Sequence, residues 1–173
     1  MRPRTAFFLS VFLLLAGCIT VKNFGAYWGT GTLDPALAGT WNSARASGGS
    51  DVTFTAEEGN IYRMHFTNGG EDKFARTLKV ADSTYLMTKQ KPDDEGGTLI
   101  AYVIQGEDMV FFAPNRDKQK DFLKRYPTIP FTITKTTFTI QELNPESMKW
   151  LTKISTEPEW WINIQKFKRA QAE

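Results

Sequence analysis

Turn signals recur along this chain at short, fairly even intervals, and that spacing constrains its fold more than any other feature. "ASGGSD", "EEGN", "NGGED", "ADS", "KPDDEGG" and "QGED" separate apolar-rich runs of seven to ten residues. Gly, Asn and Asp supply the backbone conformations that tight turns need, and short strands at such spacing build antiparallel sandwiches or barrels. The runs also alternate as half-buried strands must. In "VTFTA", Val52 and Phe54 share one face and Thr53 and Thr55 the other. In "NIYRMHF", Tyr62, Met64 and Phe66 oppose Arg63 and His65. In "KFARTLKV", Phe74, Leu78 and Val80 form a stripe that also holds Arg76. "TLIAYVIQ" and "MVFFA" are apolar on both faces, which predicts strands covered on both sides.

The cover is expected from helices late in the chain. "NRDKQKDFLKRY" reads as a short amphipathic helix with Phe122, Leu123 and Tyr126 on its buried side. A second begins at "NPESMKWLTKI", where Asn144 suits an N-cap, Pro145 the first turn, and Met148, Leu151 and Ile154 a buried stripe. "TTFTIQE" between them adds a strand with Phe138 and Ile140 inward. "EWWINIQKF" suits either a closing strand or a last helix. The expected fold is mainly β, an antiparallel meander closing into a small barrel, with two short helices in the C-terminal third.

The first seventeen residues follow another logic. Arg2 and Arg4 precede "AFFLSVFLLLA", and no acid occurs before Asp34. A membrane-spanning helix needs roughly twenty apolar residues, so this run is too short to span. A charged start, a short apolar run and small residues at the cut form a secretory signal peptide. The small residues are Ala16 and Gly17, and the only cysteine, Cys18, follows them. "LAGC" resembles the lipobox of bacterial lipoproteins. The resemblance implies cleavage before Cys18, a diacylglycerol on its sulfur, an acyl group such as palmitate on its freed amine, and hence a membrane partner. Ile19 stands where an aspartate would signal inner-membrane retention, which implies the outer membrane and a periplasm-facing domain. The expected layout is a signal peptide over 1–17, a lipidated N-terminus and flexible tether over 18–37, and one β-rich domain over 38–173. Gly25, Gly29, Gly31 and Asp34-Pro35 carry the tether reading. Phe24, Tyr27 and Trp28 within it suit either a membrane interface or packing on the domain.

Loss of residues 1–17 removes two basic residues and no acid, taking the balance from 21 basic and 19 acidic to 19 and 19. A neutral chain offers no support for a nucleic-acid partner, which needs a clustered positive surface. A single cysteine permits no disulfide, so stability must come from burial, with 13 Phe and 5 Trp in the chain to supply it.

At the head of the first barrel strand stands "LAGTW". Gly39-Thr40-Trp41 resembles the glycine-x-tryptophan motif that opens lipocalins and related calycin barrels. The resemblance implies a lipocalin-like barrel closed at one end by Trp41, with a late basic side chain, Lys168 or Arg169, against the indole. If such a barrel holds a lipid-like ligand, Tyr62, Met64 and Phe66 line it and Arg76 meets a headgroup or carboxylate. A cavity wall and a filled core read alike at these positions. The chain is also similar to small bacterial lipoproteins of uncharacterised function.

Signals for catalysis are absent from the sequence. His65 is the one histidine, no "GxSxG" elbow presents a serine, and no zinc framework or phosphate-binding loop occurs. Glu57-Glu58 and Asp93-Asp94-Glu95 sit in turns, where carboxylates are solvated, and "DDEGG" lacks EF-hand spacing. No catalytic residue, metal or cofactor is expected. The leading expectation is a non-catalytic envelope protein binding a hydrophobic or amphipathic ligand. The alternative is a solid-core module that binds another envelope protein, with Trp160 and Trp161 as aromatic anchors.

Overall fold

The computed structural model describes residues 19–44, 49–134 and 137–171, so Cys18 and the expected signal peptide over 1–17 lie outside it. The described chain opens with a strand, β1 (Ile19–Asn23), and a short helix, α1 (Ala26–Thr30). Seven strands then follow as a meander: β2 (Gly39–Ser43), β3 (Val52–Glu57), β4 (Ile61–Phe66), β5 (Lys73–Val80), β6 (Ser83–Lys89), β7 (Gly97–Gln105) and β8 (Asp108–Pro114). The chain next leaves the sheet for α2 (Gln119–Arg125), the β9–β10 hairpin (Phe131–Ile133, Phe138–Glu142) and α3 (Pro145–Ser155). It returns as β11 (Trp161–Arg169).

β11 closes the ring. It pairs antiparallel with β8 along most of its length and with β2 at Phe167, Lys168 and Arg169. β6 pairs with β7, so β2 to β8 and β11 form a closed eight-stranded antiparallel barrel, lipocalin-like in its meander order. The run "EWWINIQKF" is therefore a strand. The turns use the residues that mark them: Gly59 and Asn60 take φ of 78° and 58° between β3 and β4.

The tether expectation is overturned over residues 19–37, Cys18 lying outside the described residues. β1 pairs antiparallel with Gly97, Thr98 and Leu99 of β7 and parallel with β10, and Ile19, Val21 and Phe24 are fully buried. β8 occupies the same edge of β7 further along, from Ala101 to Gln105, so β1 and β8 lie end to end against one strand. The "GG" that ends the loop and opens β7, Gly96-Gly97, makes this possible. A Cβ on Gly96 would stand 2.2 Å from the Val21 carbonyl oxygen, and one on Gly97 1.8 Å from that of Thr88. The glycines read as slack in residues 25–31 belong to α1 and its cap, and Phe24, Tyr27 and Trp28 pack on the barrel wall.

Two cores result. One fills the barrel, from Leu37, Trp41 and Phe54 to Phe111 and Phe167. The other lies outside the wall of β5 to β7, under α2, α3 and the β1–β10–β9 extension. α3 starts as its sequence predicts: the Asn144 side chain accepts from the Glu146 and Ser147 amides, and Ser147 Oγ accepts from the Asn144 amide. α2 departs from expectation, because Phe122 and Tyr126 are buried while Leu123 points to solvent.

Candidate functional site

The barrel interior is the first place to look, because a closed barrel of this size either holds a small ligand or is filled by its own side chains. Its twelve buried side chains are each only 0–3% exposed. A hollow beside these twelve would leave them open to a water-sized sphere, so they meet one another, while Leu33, Phe66, Ile100, Ile104 and Ile164 pack against them and are only partly buried. Tyr62 and Met64 are fully buried in it, with the Tyr62 ring edge-on to Phe54 at 5.9 Å. Phe66, toward the other end of β4, is half-buried beside the same core.

Trp41 sits at the end where β2 begins, with no exposed surface. Its Nε1 donates to the Leu37 carbonyl at 2.8 Å, and the Arg169 guanidinium lies 4.2 Å from the ring centroid. Arg169 also donates to the Ala38 and Ala36 carbonyls, at 2.9 and 2.6 Å. Of the two late basic residues, Arg169 therefore meets the indole. Beside it the strap of residues 32–38 crosses the barrel end, and Asp34 ties it to the interior. The Tyr102 hydroxyl donates to the Asp34 carboxylate at 2.8 Å and the Tyr62 hydroxyl to its backbone carbonyl at 2.9 Å. Burial, then the hydrogen bond and charge of Asp34, push the Tyr102 phenol far above its ordinary value. Tyr62 moves the same way, chiefly through burial. Asp34 had read only as a turn residue; the signal that finds it is two interior tyrosines whose hydroxyls must be satisfied.

Arg76 does not face this interior. Its neighbour Ala75 points into the barrel, whereas Leu78 and Val80, in phase with Arg76, belong to the outer core. The guanidinium holds the N-terminal segment down, donating to the carbonyls of Trp28 at 2.8 Å, Gly29 at 3.3 Å and Gly59 at 2.7 Å. Two cations approach the Trp28 indole, Arg76 at 5.3 Å and Lys89 at 4.4 Å from the ring centroid. Burial lowers the pKa of both. The four residues expected around one ligand are thus divided: Tyr62 and Met64 inside, Phe66 near a barrel end, and Arg76 on the outer wall.

The outer core has its own polar centre at Glu157. Its carboxylate accepts from the Tyr126 hydroxyl, from Trp160 Nε1 and, at 2.8 Å, from Arg125. Burial would raise the pKa of Glu157, but these donors and the Arg125 charge outweigh it and hold the group below its ordinary value. The adjoining recess between Phe122, Phe138, Ile154 and Trp160 is apolar and has room for about one water molecule. Trp161 donates its Nε1 to the Ile154 carbonyl at 3.0 Å, so neither adjacent tryptophan stands free as an anchor. Tyr85, also in this core, is pushed up to about 12 by burial, against the pull of its bond to Ser155.

The remaining ionisable groups are structural or solvated. His65 pairs with Asp72 at 2.7 Å on an exposed face, and Arg63 with Glu57 at 2.6 Å. Asp94 caps its own turn through the Lys91 amide, and the Glu95 carbonyl accepts from the Phe24 amide. Among the described residues no cluster of metal-ligating side chains forms, and no helix is long and apolar enough to cross a membrane. Comparison with protein-family models, curated proteins and solved structures finds no match.

Proposed function

We propose that this chain is a non-catalytic lipoprotein domain of the bacterial envelope, held to a bilayer by lipid on Cys18. It acts through its outer surface on another envelope component. The packed interior carries the second half of this reading. Twelve interior side chains at 0–3% exposure leave Tyr62 and Met64 facing other side chains, which favours the surface over a ligand in the barrel. "LLLAGC" supports the anchor, and Ile19 after the cysteine supports the outer membrane with the domain in the periplasm. Two or more acyl chains hold a protein to a membrane where one does not.

Metabolic labelling with an alkyne fatty acid tests the anchor. The full chain is expected to take up label and enter the detergent phase, and Cys18→Ala to lose both properties. Label retained by Cys18→Ala contradicts the anchor. A photo-crosslinker at Val103, exposed on β7, is expected to give a discrete protein adduct in whole cells. Adducts with bulk lipid alone contradict a protein partner at that face.

A further inference from the structure

If Cys18 carries the lipid, the anchor has no tether. Ile19 is 1% exposed and pairs through its backbone with Leu99 and Phe138. Successive Cα atoms are about 3.8 Å apart, so a lipid on Cys18 reaches the folded sheet within one residue. The corner of the molecule where β1 starts is then pressed against the bilayer, and the orientation of the barrel is set.

That corner has the surface such a contact needs. Phe138, level with Ile19 in the parallel pairing, stacks 6.0 Å from Phe122 of α2. α2 therefore lies over the start of β1. Its exposed residues are Asp121, Leu123 (40% exposed), Lys124 and Arg125, and Lys118 is exposed at its N-cap. Residues 116–125 hold five basic residues, counting Arg116, Lys118, Lys120, Lys124 and Arg125, against Asp117 and Asp121, in a chain balanced as a whole from Cys18 onward. Among the described residues neither Lys118 nor Lys124 forms an ion pair.

We propose that the face formed by the start of β1 and by α2 lies on an anionic phospholipid bilayer, with Leu123 in the acyl boundary and Lys118 and Lys124 among the headgroups. This inference rests on lipidation of Cys18. A seven-residue helix binds a membrane weakly by itself. Next to a lipid anchor it meets the surface at high effective concentration, and basic residues are drawn to anionic lipid.

The test uses the full lipidated protein in vesicles of phosphatidylethanolamine and phosphatidylglycerol. The S-lipidated chain has no other thiol, so Leu123→Cys accepts one spin label. Glu58→Cys, exposed in the β3–β4 turn across the ring from β7 and β8, serves as control. The label at position 123 is expected to collide with oxygen several-fold more, relative to a water-soluble nickel complex, than the label at 58. Adding Lys118→Glu and Lys124→Glu is expected to return it toward water while the protein stays membrane-bound. A water-exposed label at 123, on protein whose Cys18 lipid is confirmed by mass spectrometry, overturns this inference and leaves the anchor standing. Unmodified Cys18 in that mass measurement overturns both.

Discussion

On β6, Leu86 points into the barrel while Tyr85 and Met87 point out of it, and all three are fully buried. One strand thus serves two cores of different construction. The inner core is built almost wholly from consecutive hairpins, Leu37 to Phe111, completed by Phe167. The outer core draws on Ile19, Val21 and Phe24 at the start of the chain and on the excursion from α2 to α3, segments brought together only by the finished barrel wall. The inner core is tied at its capped end by Asp34 with its two tyrosines and by Trp41 Nε1 on the Leu37 carbonyl. The outer one is ringed by aromatic edges, Phe122 against Trp160 at 4.6 Å and against Tyr126 at 5.1 Å, with Glu157 at its margin. The difference implies a hierarchy: the barrel stands without the outer layer, and the outer layer does not stand without the barrel.

Trp41→Ala should break the hierarchy at its base. Removing a fully buried Trp costs about 3–5 kcal/mol, and it also strips Arg169 of its stacking partner. Hydrogen exchange should then show both cores losing protection together in denaturant titration. Phe122→Ala removes a comparable ring from the outer core, again for about 3–5 kcal/mol, yet protection should fall in α2, α3 and β10 while β3 and β4 keep theirs. Uniform loss in both variants would mean that the two cores are one cooperative unit.

Tyr102→Phe sharpens the comparison by removing one bond to the half-buried Asp34 carboxylate. The expected cost is about 1.5–3 kcal/mol, read as a shifted denaturation midpoint. Asp34→Asn should show a similar or smaller loss, and no effect from either would mean the strap is held by packing alone.

The smallest effect is on pH. The folded-state pKa of Glu157 lies below its ordinary 4.5. Its contribution is therefore complete above the unfolded value and is lost as pH falls through the folded one. Trp fluorescence should report loosening of the outer layer below about pH 4.5, and Glu157→Gln should lose that acid-dependent step. An unchanged acid profile in the variant would assign the step elsewhere.

How much of this was legible follows from where each partner lies. β3 and β4 were readable because their alternation and their turn are local; β7 and β8 read as two-sided because both faces are apolar. β1 was not, since Ile19 finds its partners at Leu99 and Phe138, far along the chain, and its following glycines look like slack. Arg76 shows the limit of a period of two: alternation separates two faces but does not say which is inside when both are buried. Leu123 was misassigned because a helix of two turns has few positions from which to judge its apolar side. At the candidate site, Trp41 and its late basic partner stood in the sequence as a motif. Asp34, Lys89 and Glu157 did not, because each draws its role from partners far along the chain: Tyr62 and Tyr102 for Asp34, Trp28 for Lys89, and Tyr126 and Arg125 for Glu157.

The most direct test of the central reading is native mass spectrometry of a soluble chain that begins at position 18 with Cys18→Ala, keeping β1 intact. A packed barrel predicts a bare protein mass, unchanged after incubation with envelope phospholipids. A one-to-one lipid adduct that survives gentle activation would contradict it and return Tyr62 and Met64 to the wall of a ligand site.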